Sequence, residues 1–275
     1  MLAEQTTEAI QLVLDAARPQ RVPVEDGVVR DDMLARPLFR DVGEPRHGDV
    51  GPDLHDGFGA GVVGLLDGAH GDQEFPCTVG VEASTRLARF SEQHRLAYFD
   101  APVQGTRQPA EQGQLIVLAS GPVTQRESVQ PIFDAIGKRT VWVSEVVGQS
   151  SRLKLALNNW VFALTHGLAE SLAIAKGLGV DPALVVDVVG NGPMDCTYFQ
   201  LKSAAMLSGN FAPSFSVSNA VKDGKLIAEA ARQAGIQVNV AEAGLQRFER
   251  ALAAGHGDKD IAASFLAPDR APDRP

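Results

Sequence analysis

The sequence predicts an α/β sheet region followed by an all-helical region, preceded by a segment of different character. Strand-like and helix-like stretches alternate from about residue 81 to residue 145, which is the pattern of an α/β sheet. After Ser150 only helical periodicity remains. Upstream, residues 1–76 hold fifteen Asp/Glu against six Arg, which accounts for the whole net charge of −9. They contain no Lys, Ser, Asn, Cys, Trp or Tyr, whereas residues 77–275 are charge-balanced. A break this sharp marks a boundary between two kinds of sequence.

In the first segment, residues 5–18 have the apolar spacing of one amphipathic helix, through Ile10, Leu12, Val13 and Ala17. Residues 21–76 show little period of either kind and read as irregular. Regularity begins at VEASTRLARFSEQH (81–94), where Ala83, Leu87, Ala88 and Phe90 share one side of a helix. LAYFDAPV (96–103) is an apolar run closed by Pro and Gly, hence a buried strand. QLIVLAS (114–120) is a second strand, ended by Gly121-Pro122, and residues 122–137 form a helix stopped by Gly137. TVWVSE (140–145) is a third strand.

A long helix then runs from Ser150 to about Lys176, capped by Ser150 or Ser151 and stopped by Gly177 and Gly179. It is apolar on nearly every side through Leu153, Leu157, Trp160, Val161, Leu164, Leu168 and Leu172, which predicts burial all round, inside a domain or between subunits. Asp181-Pro182 supplies a cap and a first-turn proline for the next helix. Further helices fit near 195–208, 215–234 and 239–254.

Composition narrows the function. An acidic chain is a poor match for nucleic acid. No run of eighteen apolar residues occurs, so no membrane span is predicted, and the opening MLAEQTTEAIQLVLDAARPQ lacks the basic and apolar regions of a secretory signal. The two cysteines, Cys77 and Cys196, form neither a metal spacing nor a disulfide framework. No metal is expected, and a reducing cytoplasm is the expected location.

The segment GQSSRLKLALNN (148–159) carries the clearest chemistry. Lys154 and Asn158 are four apart and share one face of the long helix. Desolvation on an apolar helix favours a neutral amine, which suits a group that gives and takes a proton near neutral pH. An amide one turn on can hold a hydroxyl or carboxylate without titrating. The spacing alone fits better a lysine that snorkels to water beside a locally bonded asparagine.

Four segments, in order, carry a resemblance. CTVG (77–80), DAPVQGTRQPAEQGQLIVLASGP (100–122), GQSSRLKLALNN (148–159) and VKDGKLIAEAARQAGI (221–236) resemble the nicotinamide, substrate, catalytic and later K-D segments of the β-hydroxyacid dehydrogenases of the 3-hydroxyisobutyrate dehydrogenase type. The resemblance spans about residues 78–265. It implies an incomplete Rossmann-like domain over 77–149 and an all-α domain like that of 6-phosphogluconate dehydrogenase over 150–266, with 267–275 a disordered tail. It implies an NAD(P)-dependent oxidoreductase that moves hydride between NAD or NADP and a small 3-hydroxy acid; the apolar long helix, for its part, predicts a homodimer or higher homo-oligomer. In that reading Lys154 is the general acid/base, Asn158 orients the substrate, Gln104, Gly105 and Thr106 line the carboxylate site, and Thr78 and Lys222 contact the cofactor. Lys222 beside Asp223 also fits a surface helix lysine, and Gly105 also fits a plain turn glycine. Gln104, Ser150 and Cys77 depart from the family's usual Ser, Gly and Ser.

The first 76 residues do not fit this plan. GAGVVG (59–64) matches the letters of a dinucleotide-binding glycine turn, but no apolar strand precedes it and no helix-length segment follows. It also lies too near Thr78 for the βαβ unit that should intervene. It reads as a chance match, and Asp67 and Asp72 as unrelated to ribose recognition. Residues 1–76 are therefore expected to be irregular or translated out of frame, the sheet to lack its first strands, and the chain to bind nicotinamide cofactors weakly. A non-catalytic remnant that keeps the helical domain for subunit association is the alternative.

Overall fold

The computed structural model of the chain describes residues 61–64, 78–93 and 97–267. The expected N-terminal helix at 5–18 and the tail beyond Ala267 lie outside the described residues.

The α/β part begins with β1 (Gly61–Gly64), followed by α1 (Gly80–Gln93), β2 (Ala97–Asp100) and β3 (Val103–Gln104). A short α2 (Arg107–Glu111) leads to β4 (Leu115–Ser120), then α3 (Arg126–Ile136) and β5 (Gly137–Ser144). The expected strand 96–103 is broken at Ala101-Pro102, because proline has no N–H to give the ladder. Its carbonyl still accepts from Leu118 N at 2.9 Å, so β2 and β3 run as one kinked strand antiparallel to β4. On the other side of β4, β5 pairs parallel, joined through α3 as a βαβ unit.

One expectation is corrected. Gly61–Gly64 is a strand, parallel to β2 with Val62 opposite Tyr98 and Val63 opposite Phe99. Two β-branched residues suffice to extend a ladder beside an apolar strand. The outer edge of β2, expected to be bare, is thus covered over this stretch. The same finding supports the reading of GAGVVG as a chance match, since its last four letters form a strand and not a turn into a helix.

Inside the sheet region, Phe99, Val103, Leu115, Val117, Val129 and Phe133 form one core. Phe99, Phe133 and Trp142 meet edge-on or tilted with centroids 5.8–6.4 Å apart.

The helical part comprises α4 (Gln149–Gly177), α5 (Ala183–Val189), α6 (Thr197–Ser208), α7 (Val217–Ala234), α8 (Asn239–Ala253) and a 3₁₀ turn (Ile261–Leu266). α4 is the axle: α6, α7, α8 and the 3₁₀ turn all pack on it. Leu155 and Phe162 meet Val217, Val221, Ile227, Phe248 and Ile261 in one core, and Leu168 and Leu172 meet Met206 in a second. Ser216 caps α7 by accepting from Asn219 N at 3.2 Å.

One detail of α4 differs from expectation. Its cap is Gly148, at φ +88°, a left-handed conformation that suits glycine, and both serines lie inside the first turn. Within a single chain the helix is covered on most sides but not on all. Trp160 and Ile174 are 63% and 61% exposed. They stand fourteen residues apart, four turns of helix, and so share a side.

A buried ion pair secures the far end of the bundle. Lys202 on α6 donates to Asp260 Oδ1 at 2.6 Å, while Asp260 Oδ2 accepts from Ser214 Oγ and N at 2.7 and 3.1 Å. Oδ1 also caps the 3₁₀ turn by accepting from Ala262 N at 2.9 Å. Burial raises the pKa of Asp260, but the Lys202 charge and these donors outweigh it and hold the carboxyl below its ordinary value.

Candidate active site

The site lies where the sheet meets the start of α4. Asp100, at the end of β2, is buried and accepts from Ser151 N at 2.9 Å and Ser151 Oγ at 2.7 Å. Ser120, at the end of β4, bonds Ser150 N and Oγ at 3.2 and 2.9 Å. A carboxylate against the first N–H groups of a helix is favoured by both hydrogen bonding and the helix dipole. These contacts fix the position and rotation of α4 against the sheet, and with it everything one and two turns further on.

One turn on is Lys154, 7% exposed, with Nζ 3.2 Å from Gln104 Oε1 at the end of β3. A second turn brings Asn158, 3% exposed, whose Nδ2 donates to Asp223 Oδ2 at 2.7 Å and reaches Thr78 Oγ1 at 3.5 Å. A carboxylate can only accept, so the amide nitrogen faces Asp223 and Asn158 Oδ1 is turned away as a free-standing acceptor direction. Lys222, beside Asp223 on α7, donates to the Thr78 carbonyl at 2.6 Å and pairs with Asp223 Oδ1 at 2.7 Å.

The structure therefore gathers Thr78, Gln104, Lys154, Asn158 and Lys222 from four parts of the chain. Gly105 and Thr106 sit beside them on an exposed turn into α2, where Thr106 makes no side-chain cap bond. Gly105 has φ +139°, and a Cβ there would lie 2.7 Å from Leu115 Cδ2, so this position requires glycine irrespective of any ligand.

Sequence reasoning missed Asp223, Asp100 and the two serines. Asp223 had a legible signal: it falls with Ala220, Gly224, Ile227 and Ala231 on the buried face of α7. An acid at such a position needs a partner. Asp100, directly after the apolar run of β2, carries the same kind of signal.

Residues 76–144 match the NAD binding domain of 6-phosphogluconate dehydrogenase, and residues 148–266 match the NAD-binding domain of NADP-dependent 3-hydroxyisobutyrate dehydrogenase. Together the two matches take in most of the described residues. The chain belongs to the β-hydroxyacid dehydrogenase family.

Among its relatives are glyoxylate/succinic semialdehyde reductases 1 and 2 of Arabidopsis thaliana, 29% and 28% identical over 190 residues, or 69% of this chain. The chain spans 65% and 53% of their lengths. A solved 3-hydroxyisobutyrate dehydrogenase from Salmonella typhimurium is 26% identical, with a TM-score of 0.64 over 69% of this chain and 66% of that one. The fold is accordingly a Rossmann-like sheet followed by a helical domain, as the resemblance implied. No helix among the described residues is long and apolar enough to cross a membrane.

Proposed function

We propose that this β-hydroxyacid dehydrogenase relative is an NAD(P)-dependent oxidoreductase of small hydroxy acids or the matching aldehydes and keto acids, with Lys154 as general acid/base. The observation that carries the reading is the buried Lys154–Asn158 face of α4, set between Gln104 on one side and Thr78, Lys222 and Asp223 on the other. 3-Hydroxyisobutyrate is the hydroxy acid favoured by the sequence resemblance. Glyoxylate and succinic semialdehyde are favoured by the names of the relatives.

When bound, the nicotinamide supplies or takes the hydride. In reduction, the Lys154 ammonium gives a proton to the carbonyl oxygen as the hydride arrives; in oxidation, the amine takes the hydroxyl proton back. Gln104 Oε1 accepts from Nζ and so restrains the direction in which the amine points. Asn158, its nitrogen locked by Asp223, leaves Oδ1 to accept from the substrate hydroxyl. The exposed turn at Gly105 and Thr106 offers backbone N–H groups and a hydroxyl for the carboxylate.

The fit to the cofactor is partial. Thr78 and Lys222 suit the nicotinamide end. The first N–H groups of α4 are taken by Ser120 and Asp100, so this helix end offers the pyrophosphate none. Two contacts offset little of the cost of ordering a large flexible ligand. Fluorescence titration with NADH and NADPH is therefore expected to saturate far above the low-micromolar range, with turnover of glyoxylate or succinic semialdehyde at saturating cofactor. Saturation at low micromolar concentration would show that residues 1–76 build a pyrophosphate site. No binding even at millimolar concentration would sink the enzyme reading and favour the non-catalytic remnant.

A homodimer is part of the same proposal. Trp160, Gly167 and Ile174 follow one another at seven-residue spacing on the exposed side of α4, a seam suited to a second helix. Light scattering at micromolar concentration is expected to give twice the chain mass, 2 × 29.2 kDa. A clean monomer would count against it.

A further inference from the structure

His166 lies two turns beyond Asn158 on α4, is 6% exposed, and has no hydrogen-bond partner at either ring nitrogen. The ring is gripped by α8. Its centroid is 4.3 Å from that of Phe248, and a Cβ added at Gly244 would come within 2.7 Å of Cδ2 and 2.9 Å of Nε2. Gly244 thus leaves room for the imidazole and little else. The next residue, Leu245, makes the matching close approach on the other flank, where a Cβ at Gly224 would lie 2.9 Å from its Cδ1. Gly224 directly follows Asp223, so residues 244–245 of α8 back both α4 and the stretch of α7 that holds Asn158 in place.

We propose that His166 is an acid-released latch between α4 and α8: neutral, it fills the notch over Gly244; protonated, it drives the helices apart. A neutral imidazole in an apolar notch loses one or two hydrogen bonds, which close packing can offset. An imidazolium there would be a desolvated charge with no acceptor. The facing charges make this worse. Arg247 and Arg250 approach from α8, and Arg247 is already committed to Glu170 on α4 at 3.4 Å and to the Ser264 carbonyl at 3.0 Å. The 3₁₀ turn IAASFL brings no titratable group.

Burial, then Arg247 and Arg250, pulls the His166 pKa down from 6.5 to about 4. Between those values the unfolded chain binds the proton and the folded chain does not. The contribution of neutral His166 to stability is therefore complete above pH 6.5 and is lost as the pH falls toward 4.

Two measurements on the full chain test this without cofactor or substrate, so they are independent of the enzyme reading. In an NMR titration with ¹⁵N-labelled histidine, one ring, assigned by its loss in His166→Phe, is expected to titrate near pH 4; a His166 midpoint in the ordinary imidazole range would overturn the proposal. In thermal melts at about pH 7 and pH 4.5, the wild type should lose about 5–10 °C more than His166→Phe or His166→Leu. Equal losses in wild type and both variants would overturn it as well.

Discussion

Lys154→Ala is expected to lower turnover by about 10²–10⁴-fold, the usual worth of a positioned general acid/base. The lysine contributes in two ways that alanine cannot. It carries the proton that balances hydride transfer, and it stands 3.2 Å from Gln104 at a depth where water is a poor substitute. The loss should fall chiefly on kcat, because the proton moves only as the transition state forms. Asn158→Ala should cost less and raise KM as well, since its amide orients substrate without exchanging a proton. Asp223→Ala should resemble Asn158→Ala, because it removes the acceptor that locks the amide at 2.7 Å. Steady-state kinetics at saturating NADPH, with folding checked by circular dichroism, provides the measurement. Wild-type kcat in Lys154→Ala would remove the lysine from the mechanism.

Asp260→Ala is expected to destabilise the chain by about 3–5 kcal/mol, the cost of leaving a buried partner charge uncompensated. Four things are lost together: the pair with Lys202, the donor contacts from Ser214, the cap on the 3₁₀ turn, and the tie between the loop before α7 and that turn. For a chain of this size the expected fall in Tm is about 6–20 °C. The depressed pKa of Asp260 adds a pH signature. Its stabilisation is present above its ordinary value of 3.8 and is lost as the pH falls through the lower folded value, so the wild type and Asp260→Ala should converge in acid. Replacing both Lys202 and Asp260 with apolar residues of similar volume should recover much of the loss, because the single substitution chiefly strands a charge. A change in Tm of less than about 3 °C for Asp260→Ala would show that water reaches Lys202 freely.

Much of the site was legible because it is local. Lys154 and Asn158 stand one helical turn apart, and a 3.6-residue period places them on one face without any knowledge of the rest. Gln104 and Gly105 follow a strand and precede a helix, as a ligand-facing turn should. What was not legible depends on distant pairs. Asp223 reaches Asn158 from sixty-five positions away, and Asp100 reaches Ser151 from fifty-one. Each residue read alone is an ordinary acid on an ordinary element. Gly148 was passed over as the cap of α4 because two serines beside it are better cap formers in general, yet both hydroxyls were needed by Ser120 and Asp100.

By itself, the sequence determined the order and type of the longer elements from residue 80 onward, though not the short α2 or the 3₁₀ turn, because hydrophobic period and turn chemistry are properties of short stretches. It also determined which helix face bears the lysine and the amide. Tertiary structure alone decided which apolar faces meet. Leu155, Phe162, Leu168 and Leu172 are buried among neighbours of the same chain, while Trp160 and Ile174 on the same helix face outward. Hydrophobicity records only that a side chain gains by leaving water, not whether its cover comes from this chain or another. Tertiary structure likewise decided that Val62 and Val63 join the sheet and that His166 lodges over Gly244. Both outcomes turn on what a separate element places within reach, and no local period carries that information.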